Sequence, residues 1–238
     1  MSVHSQRSEK TMLKLYIANK NYSSWSMRPW VLMTQAGIAF EEVMVPFDDM
    51  GASSPFKQAL HAITPAGQVP VLVDGSLAVW DTLAIAEYLA ETFPAKTLWP
   101  AEPKARARAR SICAEMHGGF SALRTHCGMN IEADLREVGQ VVWRDQAGVR
   151  ADVARIVAMW TELLEDYGGP MLFGPFSIAD AYFAPVCMRL HTYALPVTPI
   201  VADYVARVRA LPAVARWIDE AQAEHRFVVF DEPYRVER

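Results

Sequence analysis

Gln68-Val69-Pro70-Val71-Leu72-Val73-Asp74-Gly75, followed six residues later by Asp81-Thr82, is the stretch that decides how the rest of the chain is read. Its apolar, β-branched run predicts a buried strand. Asp74-Gly75 is a strong short signal for a two-residue hairpin turn into a second strand at Leu77-Ala78-Val79-Trp80. Pro70 has no backbone N–H to donate, so it belongs at a sheet edge, at the first strand position or at a bulge. The backbone at Val69 is then free to pair outside its own sheet, and a peptide-like ligand could add itself there as an extra strand.

Working outward, the 238 residues suffice for a sizeable core in one large or two small domains. The net charge of −4 argues against nucleic acid as a partner, which calls for a basic face. No run of eighteen apolar residues is present, so neither a membrane span nor a membrane partner is expected. Residues 1–11 are polar and lack the apolar core of a signal peptide. They read as a disordered leader, and a cytoplasmic location follows. Cys113, Cys127 and Cys187 are odd in number and lack Cys-x-x-Cys spacing, so neither a disulfide framework nor a metal site is expected.

Residues 12–93 alternate strand and helix. Leu13–Ile17 alternates as a strand, Trp30–Ala36 is a short helix closed by Gly37, Phe40–Val45 is a second strand, and Pro55–Ala62 is a short irregular helix. The hairpin and a helix from Thr82 to Thr92 complete the order βαβαββα. Pro29 suits a first helical turn, so the first helix is expected to begin near Arg28, with Ser26 as its N-cap. Residues 94–103 are proline-rich and read as a linker. Residues 104–238 read as all-helical. A basic start at Lys104, Arg106, Arg108 and Arg110 spreads around a helix that continues to Leu123. Further helical patterns run over Val149–Tyr167, Ile178–His191, Ile200–Leu211 and Val214–Ala223. Ser177 and Asp180 fit a capping box with Phe176 placed as a hydrophobic staple, so Asp180 is assigned to folding and not to chemistry.

Val69-Pro70, the hairpin, and an acidic-hydroxyl pair opening a helix together resemble the glutathione-binding half of the soluble glutathione transferases. The resemblance implies a thioredoxin-like α/β domain followed by an all-α helical-bundle domain, with Pro70 in the cis form, which X–Pro bonds adopt at little cost. The missing Cys-x-x-Cys argues against disulfide exchange. The run Ser23-Ser24-Trp25-Ser26-Met27-Arg28 resembles the serine motif of the zeta class, which places Ser23 on the catalytic serine and Ser24 beside it. Trp25 stands where that motif has cysteine.

The resemblance also implies a ligand set. Val69 and Pro70 present backbone to the cysteinyl part of glutathione, with Gln68 and Arg28 nearby. Asp81 takes the γ-glutamyl ammonium, and Thr82 opens a helix whose N–H groups suit a carboxylate. Lys57 substitutes for a family glutamine whose place is held by Pro55. Met116, His117, Phe120, Arg124 and Tyr193 are the candidate walls of an acceptor pocket, and Arg124 there would favour an acidic substrate.

The chemistry asks for little more. Lowering a thiol pKa from about 8.5 by roughly two units needs about 2.7 kcal/mol. A hydroxyl donating to a charged acceptor supplies about 1.5–3 kcal/mol, and a helix N-terminus about 0.3–1 kcal/mol. The resemblance thus implies glutathione transfer, in which a serine-stabilised thiolate attacks a small electrophile without metal, and it implies a two-fold dimer. The alternatives are a glutathione-dependent cis–trans isomerase of maleylacetoacetate type and a non-catalytic interaction module of the same fold.

Overall fold

The computed structural model describes residues 12–47, 49 and 51–238; the expected leader lies outside the described residues. The first half runs β1 (Leu13–Ile17), α1 (Ser24–Gln35), β2 (Phe40–Met44), α2 (Pro55–His61), β3 (Val71–Asp74), β4 (Leu77–Trp80) and α3 (Thr82–Thr92), in the expected order. The sheet order is β2-β1-β3-β4, with β1 parallel to β2 and antiparallel to β3. Asp74 pairs with Leu77, so the hairpin turn is Gly75-Ser76, one residue beyond the expected position, and Gly75 supplies the positive φ the turn needs. Pro70 ends a cis bond and precedes the first paired residue, Val71. The strand is internal to the sheet, and only its entry is proline-tolerant.

One face of the sheet belongs to the main core. Leu13, Leu15 and Ile17 alternate with half-buried neighbours and pack with Leu32 and Met33 of α1 and Ile85 and Leu89 of α3. The other face carries a small cluster in which Phe56 and Leu60 of α2 cover Val45 and Val71. Helix α1 begins at Ser24, earlier than expected, because Met27 N–H already donates to Ser23 O at 3.1 Å. Pro29 therefore lies inside the helix, and Ser26 is not its N-cap; Ser23 takes that place.

The second half contains α4 (Pro103–Gly118), α5 (Ser121–His126), α6 (Arg136–Asp145), α7 (Ala147–Asp166), α8 (Ile178–Thr192), α9 (Pro199–Arg209) and α10 (Pro212–Ala223). The expected continuous helix to Leu123 is broken after Gly118, where Phe120 adopts a left-handed φ of 55° and starts α5 on a new axis. Helix α8 is buried along nearly its whole length and packs on α1, α4 and α9, so the core is continuous from sheet to helical half. Its start is fixed by Asp180. This fully buried carboxylate accepts Leu172 N–H at 3.0 Å, Ser177 N–H at 2.9 Å, Ser177 Oγ–H at 3.2 Å and Tyr204 O–H at 3.0 Å. The capping box is formed, and Phe176 packs against the core.

The segment after α10 returns across the loop between β1 and α1. Tyr22 O–H donates to Glu232 at 2.6 Å, Asn130 donates to the same carboxylate at 2.9 Å, and Phe230 stacks edge-on against Phe47. This brings half-buried Asp231 alongside, where burial and the neighbouring Glu232 charge push its pKa up to about 6.

Two stability measurements follow. Asp180→Ala strands several buried donors at about 1–3 kcal/mol each, so urea unfolding should show a loss of at least about 3 kcal/mol; an unchanged midpoint would refute the role. Asp231 has a folded-state pKa above its unfolded value, so its charge costs stability fully above about pH 6 and not below about pH 4. After discounting for solvent, Asp231→Asn should gain about 1 kcal/mol near neutral pH. The gain should vanish in acid; one that persisted there would contradict the assignment.

Candidate functional site

A cavity of about 780 Å³ opens where the loop before α1, the entry to β3, the start of α3 and the helices of the second half converge. Of the residues singled out in the sequence, Ser23, Ser24, Lys57, Gln68, Val69, Pro70, Asp81, Thr82, His117 and Arg124 line it. Four do not. Met116 is fully buried on the inner face of α4, Phe120 is buried where its left-handed backbone starts α5, and Tyr193 is buried against Tyr234. Arg28 lies behind the wall, its guanidinium between the rings of Trp25 and Tyr182 and its Nε–H donating to Tyr182 O at 3.0 Å.

The serine loop is tightly built. Tyr22 and Ser23 N–H both donate to Asn19 O, turning the chain from β1 into α1. Ser23 Oγ–H donates to Ser26 Oγ at 2.7 Å, which also receives Ala18 N–H at 3.2 Å, so Ser26 ties the helix to the end of β1. Ser24 Oγ accepts Arg189 Nη2–H at 3.3 Å. Tyr22, the other hydroxyl here, is committed to Glu232, and burial with that carboxylate pushes its pKa up to about 12.

On the opposite wall, Val69 lies beyond the last ladder pair of β3, and Gln68 is exposed beside it. Lys57 Nζ donates to Gly67 O at 3.0 Å, bracing the turn before them. Gly67 has φ +57°, a left-handed backbone that strains residues with a Cβ, and the His61 ring packs close over it. Asp81 caps α3 by accepting Leu83 N–H at 2.8 Å, and its other oxygen faces His117 Nε2 at 3.2 Å. His117 Nδ1 is 2.7 Å from Tyr182 Oη, which in turn is 2.7 Å from Thr82 Oγ1. A closed polar ring thus joins α3, α4 and α8 at the cavity wall.

The acceptor side is cationic and aromatic. Trp25 sits edge-on to His117 at 5.1 Å, with the Arg124 guanidinium 5.0 Å from its ring centroid. Arg189 is buried, and its guanidinium donates to Cys127 O at 2.9 Å, Pro185 O at 3.5 Å and Ser24 Oγ, all uncharged. Burial pulls the Arg28 pKa down to about 9, and burial with the Arg124 charge pulls Arg189 down to about 10, so both remain cationic at neutral pH. Arg189, Phe47, Met129 and Asp231 line the cavity without having been singled out in the sequence, and Trp25 and Trp80 line it with no cavity role assigned to them there. Arg189 sits in a helix whose apolar pattern gives it no distinction. Among the described residues, no cluster of three or more His, Cys, Asp or Glu side chains could hold a metal ion, and no helix is long and apolar enough to cross a membrane.

Comparison with known proteins agrees with this architecture. Residues 22–92 match the model of the glutathione S-transferase N-terminal domain, and residues 103–220 match that of the C-terminal domain. The chain is similar to maleylacetoacetate isomerase of Mus musculus, 31% identical over 78% of this chain and 81% of the relative. It is similar to a probable maleylacetoacetate isomerase of Vibrio cholerae, 26% identical over 90% of this chain and 99% of the relative. Among solved structures, a glutathione transferase homolog from Burkholderia with bound glutathione superposes with a TM-score of 0.67 at 25% identity, covering 89% of this chain and 99% of that one. With both domain models matched in order and a relative above 30% identity spanning most of its length, the chain belongs to the glutathione S-transferase family.

Proposed function

We propose that the cavity binds glutathione along Gln68-Val69-Pro70 and Asp81-Thr82, that the Ser23-Ser24 pair holds its sulfur as the thiolate, and that this thiolate attacks a small electrophile lodged between Trp25, His117 and Arg124. The observation that carries the reading is a convergence. An unpaired strand entry, an acidic helix cap and a serine pair at a second helix N-terminus share one cavity. Each has its own partner in a γ-glutamyl tripeptide: the strand backbone for the cysteinyl unit, the Asp81 carboxylate with the α3 N–H groups for the ammonium and carboxylate, and the serine hydroxyls for the sulfur.

The protein supplies no nucleophile of its own. Its work is to bind, to favour S⁻ over S–H, and to hold the electrophile near, while the S–H proton leaves to solvent. Glutathione is the co-substrate, and the reading includes a two-fold dimer acting on electrophiles in a cytoplasmic, detoxifying role, as the family likeness suggests.

Titration calorimetry with glutathione tests the binding half. Asp81→Asn keeps α3 capped, because asparagine caps a helix as well as aspartate does. It removes the charge that would meet the ligand ammonium, so the Kd should rise about tenfold, corresponding to about 1.4 kcal/mol. Wild-type protein that gives no heat of binding at glutathione concentrations up to several millimolar would overturn the reading.

A further inference from the structure

We propose that Ser24, and not its neighbour Ser23, is the hydroxyl that meets the glutathione sulfur, and that the buried Arg189 is its positioning residue. The assignment rests on the proposed function and says which groups of that site do the work.

A serine hydroxyl has one proton to give. Ser23 spends its proton on Ser26 Oγ at 2.7 Å, inside the knot that ties α1 to the end of β1. Ser24 differs in both directions. Its oxygen accepts a hydrogen bond from Arg189 Nη2–H at 3.3 Å, and among the described residues its own proton has no acceptor. Both serines border the cavity, so Ser24 is the one with a donor to spare.

Arg189 gives that donor a direction and a charge. The guanidinium is anchored from behind by Cys127 O and Pro185 O on the helical half, and it reaches 165 residues back in sequence to Ser24. With an N–H directed at one lone pair, the Ser24 O–H is turned away from Arg189. Donation by a cation also makes that O–H a stronger donor. The Arg189 bonds are all to uncharged oxygens, so its positive charge is unspent beside the place where S⁻ forms. The step is a simple ionisation. The glutathione S–H bond breaks, its proton passes to water, the electron pair stays on sulfur, and Ser24 O–H donates to that sulfur while Arg189 N–H donates to Ser24 Oγ.

Ultraviolet titration of the bound thiolate decides it, with glutathione affinity measured in parallel. Ser24→Ala should raise the bound thiol pKa by about one to two units, and by at least one unit more than Ser23→Ala does. Ser24→Thr, which keeps the hydroxyl, should recover most of the depression. Arg189→Met should raise the pKa too, and adding Ser24→Ala to it should add less than half of what Ser24→Ala does alone, because the two act in series. Should Arg189→Met fail to fold, the Ser24 and Ser23 variants still decide. A larger rise in Ser23→Ala than in Ser24→Ala, or full additivity of the Arg189 and Ser24 variants, would overturn this assignment and leave the proposed function standing. Wild-type protein that binds no glutathione would overturn both.

Discussion

A carboxylate with no access to water is kept only when donors replace its hydration shell, and Asp180 keeps its place through four of them. Those bonds set where α8 starts. Because α8 is buried on all sides and packs directly on α1, its start also sets the phase of every side chain it directs toward the serine loop. Tyr182, two residues on from Asp180, joins Thr82 and His117 and lies under Arg28. Arg189, about two turns further, reaches Ser24. The site therefore inherits its precision from a folding interaction that never touches it.

The features legible in the sequence are those whose physics is local. A hairpin, a proline at a strand entry, an acid opening a helix and a capping box depend on neighbours within a few residues. The element order and the cavity-lining positions of Gln68, Val69, Pro70, Asp81 and Thr82 followed from them. The start of α1 was less legible. Pro29 signals a first turn near Arg28, yet the Asn19 turn and the Ser26 bond to Ala18 go with a helix that begins at Ser24 and tolerates the proline inside it.

What stayed hidden depends on phase and on long-range packing. Met116 and His117 are adjacent on α4, and a rotation of about 100° per residue separates a core position from a cavity position. The break at Gly118-Gly119 turned Phe120 inward. The contribution of Arg189 comes entirely from a partner 165 residues away, and the C-terminal segment reaches the loop before α1 through bonds of Glu224, Arg226, Val228 and Glu232 to residues 19–22. No window of sequence contains any of these contacts. Helix α6 is a different case: its ten residues are strongly amphipathic, with Gly139 and Val142 buried, so the apolar stripe that marks it was there to be read.

The resulting site divides its labour between the two halves. In the proposed binding mode the α/β half offers backbone and helix termini to a peptide-like ligand, and the helical half supplies His117, Arg124 and Arg189 on the facing wall. A crystal structure of the complex with glutathione is the most direct measurement of this account. It should place the cysteinyl backbone against Val69, the γ-glutamyl group at Asp81 and Thr82, and the sulfur within hydrogen-bonding reach of a hydroxyl of the serine loop. Glutathione bound elsewhere, or in this cavity with its sulfur turned away from that loop, would contradict it.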